Sequence, residues 1–534
     1  MEYSFLGKKI SGPFTVGSGI LTTDVNILEK VAKEIPEIGI ITTKSIGPVA
    51  KEGNREPIIA EYNPGSFVNA VGLTNPGAEE FSKQLFNLRI PNNKFLLISI
   101  FGSNKEDFVN IAQKLLAYAD GFELNFSCPH AQGYGMAIGK TEEAIREITR
   151  AVRALGKPVI PKLTPNVPNI GSLAKAAVEG GADAITAINT VGPGSVMINQ
   201  KPVLSNKIGG LSGKAIIPIG LKCVKEIRDF VGSEIPIIAM GGISTARDIE
   251  NYQASGANYF GIGSALAGMD FWQLKNYFKE LLLDMEYKKN NASRFLNREL
   301  GMKYFKFKVH EKIDLASDLF LLKLGVNFNV KPGQFVFLWL PEKGEKPFSV
   351  LDDEPLTFLI HKKGCFTEDL SKLKTGEEVY VRGPYGKTPN VKKKVLLVGG
   401  GSGIAALYLF AKKNECVSLI GARDKNHIAF LNEFEKFGKV YVTTQDGSLG
   451  EKGFVSDILP KILEEEKPDF CINCGPKEMI TKVLEIEEKF LIKERIFSSV
   501  EFLTKCGIGL CGSCASSKGY RNCVDGTFFN SDQI

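Results

Sequence analysis

No stretch of the sequence reaches the roughly 18 consecutive apolar residues of a membrane span, and the opening MEYSFLGKKI lacks the apolar core of a signal peptide. A cytoplasmic protein with no membrane partner is therefore expected. Excess charge of one sign is also missing. The 66 Lys and Arg stand against 60 Asp and Glu, and the one dense run, Lys392 to Lys394, lies just before a strand-like segment, so nucleic acid is not an expected partner. Compositional bias is absent too: 43% hydrophobic and 24% charged residues exclude a disordered or fibrous chain. What the sequence does have is length, and 534 residues exceed what one hydrophobic core serves, so several domains are expected.

Ten cysteines in a long chain without an export signal point to metal or catalytic chemistry before disulfides. Cys506, Cys511, Cys514 and Cys523 crowd the C-terminus, whereas Cys128 stands apart in the first half. Two chemistries are implied.

Between residues 14 and 265, eight short β-rich apolar runs alternate with longer segments of helical periodicity: Phe14–Ser18, Gly39–Ser45, Phe95–Phe101, Gly121–Ser127, Pro158–Thr164, Ala184–Thr190, Pro236–Gly242 and Tyr259–Ala265. This rhythm predicts an α/β chain opening with a (β/α)8 TIM barrel, whose function sits at the C-terminal strand ends; a doubly wound sheet is the alternative. Polar residues fall at those ends: Lys44, Asn125 with Cys128, Lys162, and Asn189 with Thr190. The seventh and eighth runs finish in Gly241-Gly242 and Gly263-Ser264, where barrels commonly bind a phosphate, so a phosphorylated cofactor such as FMN fits.

TTKS (Thr42–Ser45), NAVGLTNPG (Asn69–Gly77), ELNFSCP (Glu123–Pro129), PKLTPN (Pro161–Asn166), INT (Ile188–Thr190) and GGLSG (Gly209–Gly213) resemble the catalytic subunit of class 1 dihydroorotate dehydrogenases over residues 1–285. The resemblance implies that Lys44, Asn69, Gly72, Leu73, Asn125, Asn189 and Thr190 hold orotate or dihydroorotate. FMN would lie against Ser18, Lys44, Ser45, Ser99, Asn125, Lys162, Ile188, Gly213, Gly241, Gly242, Gly263 and Ser264, with Ser99 standing where many relatives have Asn. It also implies that Cys128 removes the C5 proton of dihydroorotate, on a lid-like segment running from Cys128 to Gly139, and that the rate rises with pH as the thiol ionises. His130 is part of that lid pattern and Cys223 is expected in the core. Cys-Pro-His and Asn189-Thr190 are also similar to dihydropyrimidine dehydrogenases, but Lys44 and the Asn69–Gly77 loop suit a substrate bearing a carboxylate.

Residues 286–303 break the rhythm with a charged stretch and are expected as a linker. From 304 to about 390, alternating strands and turn glycines predict a small antiparallel barrel. VLLVGGGSGIAAL (Val395–Leu407) then predicts a strand, a glycine turn and a helix start suited to a nucleotide, within an α/β domain over 391–500. With CGPKEM (Cys474–Met479), the module order resembles the ferredoxin–NADP reductase superfamily. TTQDGSLGEKGFV (Thr443–Val455) and EFLTKCGIGLCGSC (Glu501–Cys514) are similar to the electron-transfer subunit of NAD-dependent, class 1B dihydroorotate dehydrogenases. FAD is then expected against Lys346, Pro347, Phe348, Ser349, Leu359, Ile360, His361, Phe366 and Thr367, where Lys346, His361 and Phe366 depart from the Arg, Arg and Gly usual in relatives. NAD is expected near Gly399, Gly400, Gly401, Gly403, Cys474 and Gly475, while Cys471 is structural.

Cys506-x4-Cys511-x2-Cys514, with Cys523 following, matches plant-type [2Fe–2S] spacing in a domain over 501–534, zinc being the alternative. Relatives usually carry the two halves on separate chains, and a homodimer through the barrel is expected. Arg423 and Lys425 lie near the expected adenosine end, so the sequence does not separate NADH from NADPH.

Overall fold

A computed structural model describes residues 2–126 and 138–534, which divide into two compact units. The first comprises Met1–Leu300 with Ile508–Ala515, and the second Gly301–Gly507 with Ser516–Ile534.

The eight predicted runs form the strands of a closed parallel barrel: β1 Phe14–Val16, β2 Ile38–Thr42, β3 Phe95–Ile100, β4 Gly121–Asn125, β5 Val159–Leu163, β6 Ile185–Ala187, β7 Ile237–Ala239 and β8 Tyr259–Ile262. Each pairs with its chain neighbours, and β8 closes on β1 through Phe260 opposite Phe14. Buried on both faces, these strands read as continuous apolar runs instead of alternating ones. A helix follows each strand, from Val25–Glu34 after β1 to Phe271–Tyr287 after β8. Side-chain caps start several of them: Asp24, Asn104 and Asn169 each accept a hydrogen bond from a backbone N–H of the first turn, and Thr245 with Asp248 forms a reciprocal capping box.

A four-stranded antiparallel sheet, Ile59–Asn63, Ser66–Asn69, Gly209–Gly213 and Val191–Gly194, is built from the excursions after β2 and β6. The stretch expected as a linker packs on the barrel as far as residue 300. Its Arg298 guanidinium donates to the carbonyls of Ala265 (3.1 Å) and Ala267 (2.6 Å), fixing the turn after β8.

In the second unit the expected antiparallel module is a seven-stranded sheet in the order Gly344–Ser349, Phe335–Leu340, Glu378–Tyr385, Phe305–Ala316, Leu319–Leu324, Leu356–His361, Asp352–Asp353. One of its faces packs Phe320, Leu322, Val336, Leu338, Phe358 and Val381. A second sheet runs Glu451–Lys452, Gly438–Thr444, Cys416–Ala422, Val395–Gly400, Phe470–Cys474, Ile496–Ser499, Phe529–Asn530, parallel except at the last pair. The chain leaves the central strand Val395–Gly400 first to one side and later returns on the other. The crevice between it and Phe470–Cys474 is thus a topological switch point, where open α/β sheets bind ligands. Among the described residues no helix is long and apolar enough to cross a membrane.

Candidate functional site

At the C-terminal end of the barrel, six of the expected residues are joined in one hydrogen-bonded group. Ser45 Oγ lies 2.9 Å from Ser99 Oγ and 3.2 Å from Ser18 Oγ, and accepts from Asn125 Nδ2 (2.9 Å); Asn189 Nδ2 donates to Asn125 Oδ1 (3.4 Å). Lys162 Nζ donates to Ser18 Oγ (3.4 Å). The residue that sequence reasoning left without a role is Glu123. On β4 it is two positions before Asn125 and so shares its face. Fully buried, it accepts from Ser99 Oγ (2.9 Å) and sits 3.8 Å from Lys162 Nζ, while its Oε2 has no hydrogen-bond partner among the described residues. The signal was available as an acidic residue inside an apolar strand, a position that has to be paired.

Lys44, 8% exposed, follows β2. A Cβ on Gly19 would come within 2.9 Å of its ammonium nitrogen, so the glycine opens the space the lysine occupies. The expected substrate loop is held beside it by Asn75, another residue to which the sequence gave no role. Its Oδ1 accepts from the N–H groups of Gly47 (3.1 Å) and Gly77 (2.9 Å), and its Nδ2 donates to Leu73 O (2.8 Å). Gly72 and Leu73 both take positive φ in that loop. Asn69 Nδ2 donates to Gly210 O (3.3 Å), and Thr190, whose carbonyl accepts from Asn166 Nδ2 (3.1 Å), packs directly on Gly210. Asn69, Asn189 and Thr190 are thereby brought together.

Gly241 and Gly242 follow β7, and Gly263 and Ser264 follow β8. Gly242 has φ +85°, and a Cβ there would collide with the carbonyl oxygen of Gly213. Tyr252 Oη donates to Gly241 O (2.8 Å), while Ile188 is buried against Gly241. Gly242, Ser264 and Lys214 line a cavity of about 440 Å³. Lys214 and Arg298 bring cations to this cavity, which Glu61 and Glu299 also line, and Gly242 beside Ser264 leaves its backbone without a side chain; this end of the cavity fits the phosphate of FMN.

The second unit carries a cavity of about 370 Å³ at its switch point, lined by Gly400, Gly401, Gly421, Arg423, Pro476, Met479 and others. The glycine run does not open a long α-helix: Gly401–Ala406 is a 3-10 segment followed by the short helix Tyr408–Ala411, in keeping with the poor helix propensity of Gly401 and Gly403. Gly399 is in register with Cys474, and Gly403 lies against the Cys474 carbonyl. Cys474 and Gly475, expected near the nicotinamide, are not among the residues that line the cavity, and burial pushes the Cys474 thiol up to about 12, which keeps it protonated.

Of the residues expected to hold FAD, His361 lines this cavity together with Leu319. Strand alternation separates its neighbours: Leu359 shares the side of Leu319 and Leu321, whereas Ile360 points into the opposite core with Phe320 and Leu322. Phe366 stacks on Phe348 at 6.3 Å, and Thr367 Oγ1 is taken up by the N–H groups of Lys363 and Gly364. Lys346, Pro347 and Ser349 are partly or fully exposed on their strand.

Cys128, His130 and the expected lid to residue 137 lie outside the described residues. Cys506, Cys511, Cys514 and Cys523 are all buried, the first and last in the second unit and the other two in the first. Among the described residues no group of three or more His, Cys, Asp or Glu side chains is gathered as a metal site. Cys223 is buried in its helix, as expected of a core residue.

Residues 1–285 match the family model for dihydroorotate dehydrogenase. Two similar proteins are named dihydroorotate dehydrogenase B (NAD(+)), catalytic subunit. That of Pyrococcus abyssi is 41% identical over 272 residues, covering 50% of this chain and 87% of that protein. That of Methanocaldococcus jannaschii is 38% identical over 298 residues, covering 54% and 96%. A solved structure described as an NADH-dependent reduced ferredoxin-NADP oxidoreductase, from a study of flavin-based electron bifurcation, is 32% identical over 43% of this chain and 89% of that one, at a TM-score of 0.40. With the barrel, the polar group at its strand ends and the matched half all in agreement, the chain is an enzyme of the dihydroorotate dehydrogenase family.

Proposed function

We propose that the chain oxidises dihydroorotate to orotate in pyrimidine synthesis and delivers the electrons to NAD through its second half. The observation that carries this reading is the convergence of Lys44, Asn69, Asn125, Asn189 and Thr190 around one end of the barrel. A carboxylate-bearing pyrimidine needs one cation and several amides there. Lys44 serves the carboxylate, and the Asn side chains take the ring's N–H and C=O groups. Lys162, held between Ser18 and Glu123, would supply positive charge to a bound flavin, and the cavity lined by Gly242, Ser264 and Lys214 would take its phosphate. Cys128, by family pattern, takes the C5 proton.

FMN would supply hydride acceptance from C6, a [2Fe–2S] cluster single-electron transfer, and FAD hydride exchange with NAD. We assign FMN and substrate to residues 1–285, FAD to 304–390, NAD to 391–500 and the cluster to 501–534, with 286–303 as the connecting segment. The cluster rests on the Cys506, Cys511, Cys514 and Cys523 spacing, and a homodimer through the barrel on the resemblance.

Full-length protein should form orotate from dihydroorotate with NAD. Cys128→Ala should abolish that reaction and leave NADH-driven dye reduction within about twofold, because the two half-reactions use separate sites. Absence of orotate formation while dihydrouracil reacts would replace this reading with a dihydropyrimidine dehydrogenase-like one; equal loss of both activities in the variant would refute the division of labour.

A further inference from the structure

The family match ends at residue 285, and the first unit continues beyond it to Leu300. Those further residues are seated on the barrel. Asp284 accepts from the Ala292 N–H (2.8 Å), Arg294 pairs with Glu280 (3.0 Å), and Ala292 and Phe295 are buried. Leu300 packs so closely on Gly268 that a Cβ there would come within 2.6 Å of it. Arg298 lies within this stretch. Its Nε and Nη2 hold the Ala267 carbonyl (3.2 and 2.6 Å), and Nη2 also holds that of Ala265 (3.1 Å), in the turn that directly follows Gly263-Ser264. Its Nη1 is buried without a hydrogen-bond partner, and no carboxylate among the described residues forms an ion pair with the guanidinium. Burial pushes this group down to about 10, against the opposing effects of Tyr277 and Asp270. A cation drawn out of water with no counter-charge is costly, and an anion is what relieves it.

The cavity of about 440 Å³ is where such an anion fits, because Arg298 lines it together with Lys214, Gly242 and Ser264. These residues stand at the ends of β7 and β8, the strands at which barrels commonly bind a phosphate. Of the two carboxylates that also line it, Glu61 accepts from the Gly65 N–H (2.8 Å) in its own turn, and Glu299 is exposed. The partly buried guanidinium is left as the charge to be answered.

We infer that Arg298 binds the phosphate of the flavin held by the barrel, so that a residue from beyond the family-matched stretch completes the FMN site. This rests on the assignment of FMN to the barrel under Proposed function and adds a ligand to it. Because the contact is made to the phosphate alone, its loss weakens FMN and spares a flavin that has no phosphate.

The test uses full-length protein stripped of flavin and reloaded with FAD, and reads the dissociation constants of FMN and of riboflavin by equilibrium dialysis, with chromatography to identify each flavin. The natural chain should bind FMN about a hundredfold or more tighter than riboflavin. Arg298→Gln keeps a side-chain donor for the turn and removes the charge; it should weaken FMN about tenfold or more and leave riboflavin within about threefold. Equal weakening of both flavins would show that Arg298 only holds the turn, and overturns the inference, as does an unchanged FMN constant. Should Arg298→Gln fail to fold, judged by circular dichroism and FAD content, Arg298→Lys decides: one ammonium cannot replace the guanidinium at two carbonyls and a phosphate together, so the preference for FMN over riboflavin should fall by about threefold or more, and an unchanged preference overturns the inference. A natural chain that binds the two flavins equally also overturns it while leaving FMN in the barrel. Protein that regains FAD but takes up neither FMN nor riboflavin refutes the FMN assignment itself, and the inference falls with it.

Discussion

Glu345 and Arg382 form an ion pair with both side chains fully buried, and breaking it should show what holds the second unit together. Arg382 Nε and Nη2 donate to Glu345 Oε1 and Oε2 at 2.7 and 2.6 Å, its Nη1 donates to Tyr385 Oη (2.6 Å) and to the carbonyl of Cys506 (3.1 Å), and its guanidinium lies 3.9 Å over the Phe337 ring. Glu345→Leu strands this cation with no counter-charge, a change that costs about 3–5 kcal/mol for a buried pair. At about 2–4 °C per kcal/mol for a unit of this size, the unfolding midpoint of that unit should fall by about 6–20 °C. The double variant Glu345→Leu, Arg382→Met removes both charges and should recover much of the loss, with Tyr304, whose hydroxyl donates to Glu345 (2.6 Å), retaining part of the cost. Scanning calorimetry of the full chain reads the transitions. Because Arg382 holds the Cys506 backbone, iron content of the single variant should fall in parallel. A single variant within about 1 kcal/mol of the natural chain, or a double variant worse than the two singles summed, would refute the argument.

Two further outcomes test other parts of the molecule. Burial pushes the Glu487 carboxyl up to about 8, against the hydrogen bond from Asn473 Nδ2 (2.6 Å), so the folded chain keeps a proton that the unfolded chain releases near the ordinary glutamate value of about 4.3. Stability of the natural chain should therefore decline as pH rises from about 4 to 8, and Glu487→Gln should flatten that decline, read by urea unfolding at pH 6 and 8.5; parallel pH profiles would contradict the assignment. Gly242→Ala places a Cβ on the Gly213 carbonyl at φ +85°, and should lower bound FMN by at least about fivefold with the barrel still folded, measured by released flavin and circular dichroism. Full FMN occupancy in that variant would remove the phosphate from this cradle.

The order of elements and most of the polar residues that end the barrel strands can be read along the chain alone. Burial on both faces leaves apolar runs in the sequence, and a barrel sends every strand end to one mouth, so Lys44, Asn125, Lys162 and Asn189 were legible one strand at a time, while Ser18 came from the family resemblance. How such residues are paired depends on which distant segments the fold brings together. Glu123 acquires meaning when β3 and β5 bring Ser99 and Lys162 to it, and Asn75 when the loop folds back on Gly47. The short GGGSG segment and the inward turn of Ile360 depend on what packs against them. Arg423 has no partner legible in the sequence until Asp318, 105 residues earlier, is placed beside it. Local sequence sets period, caps and turns because those interactions span a few residues. Ion pairs and orphaned polar atoms are created by chain segments meeting across the fold, and no short-range pattern records which segment arrives.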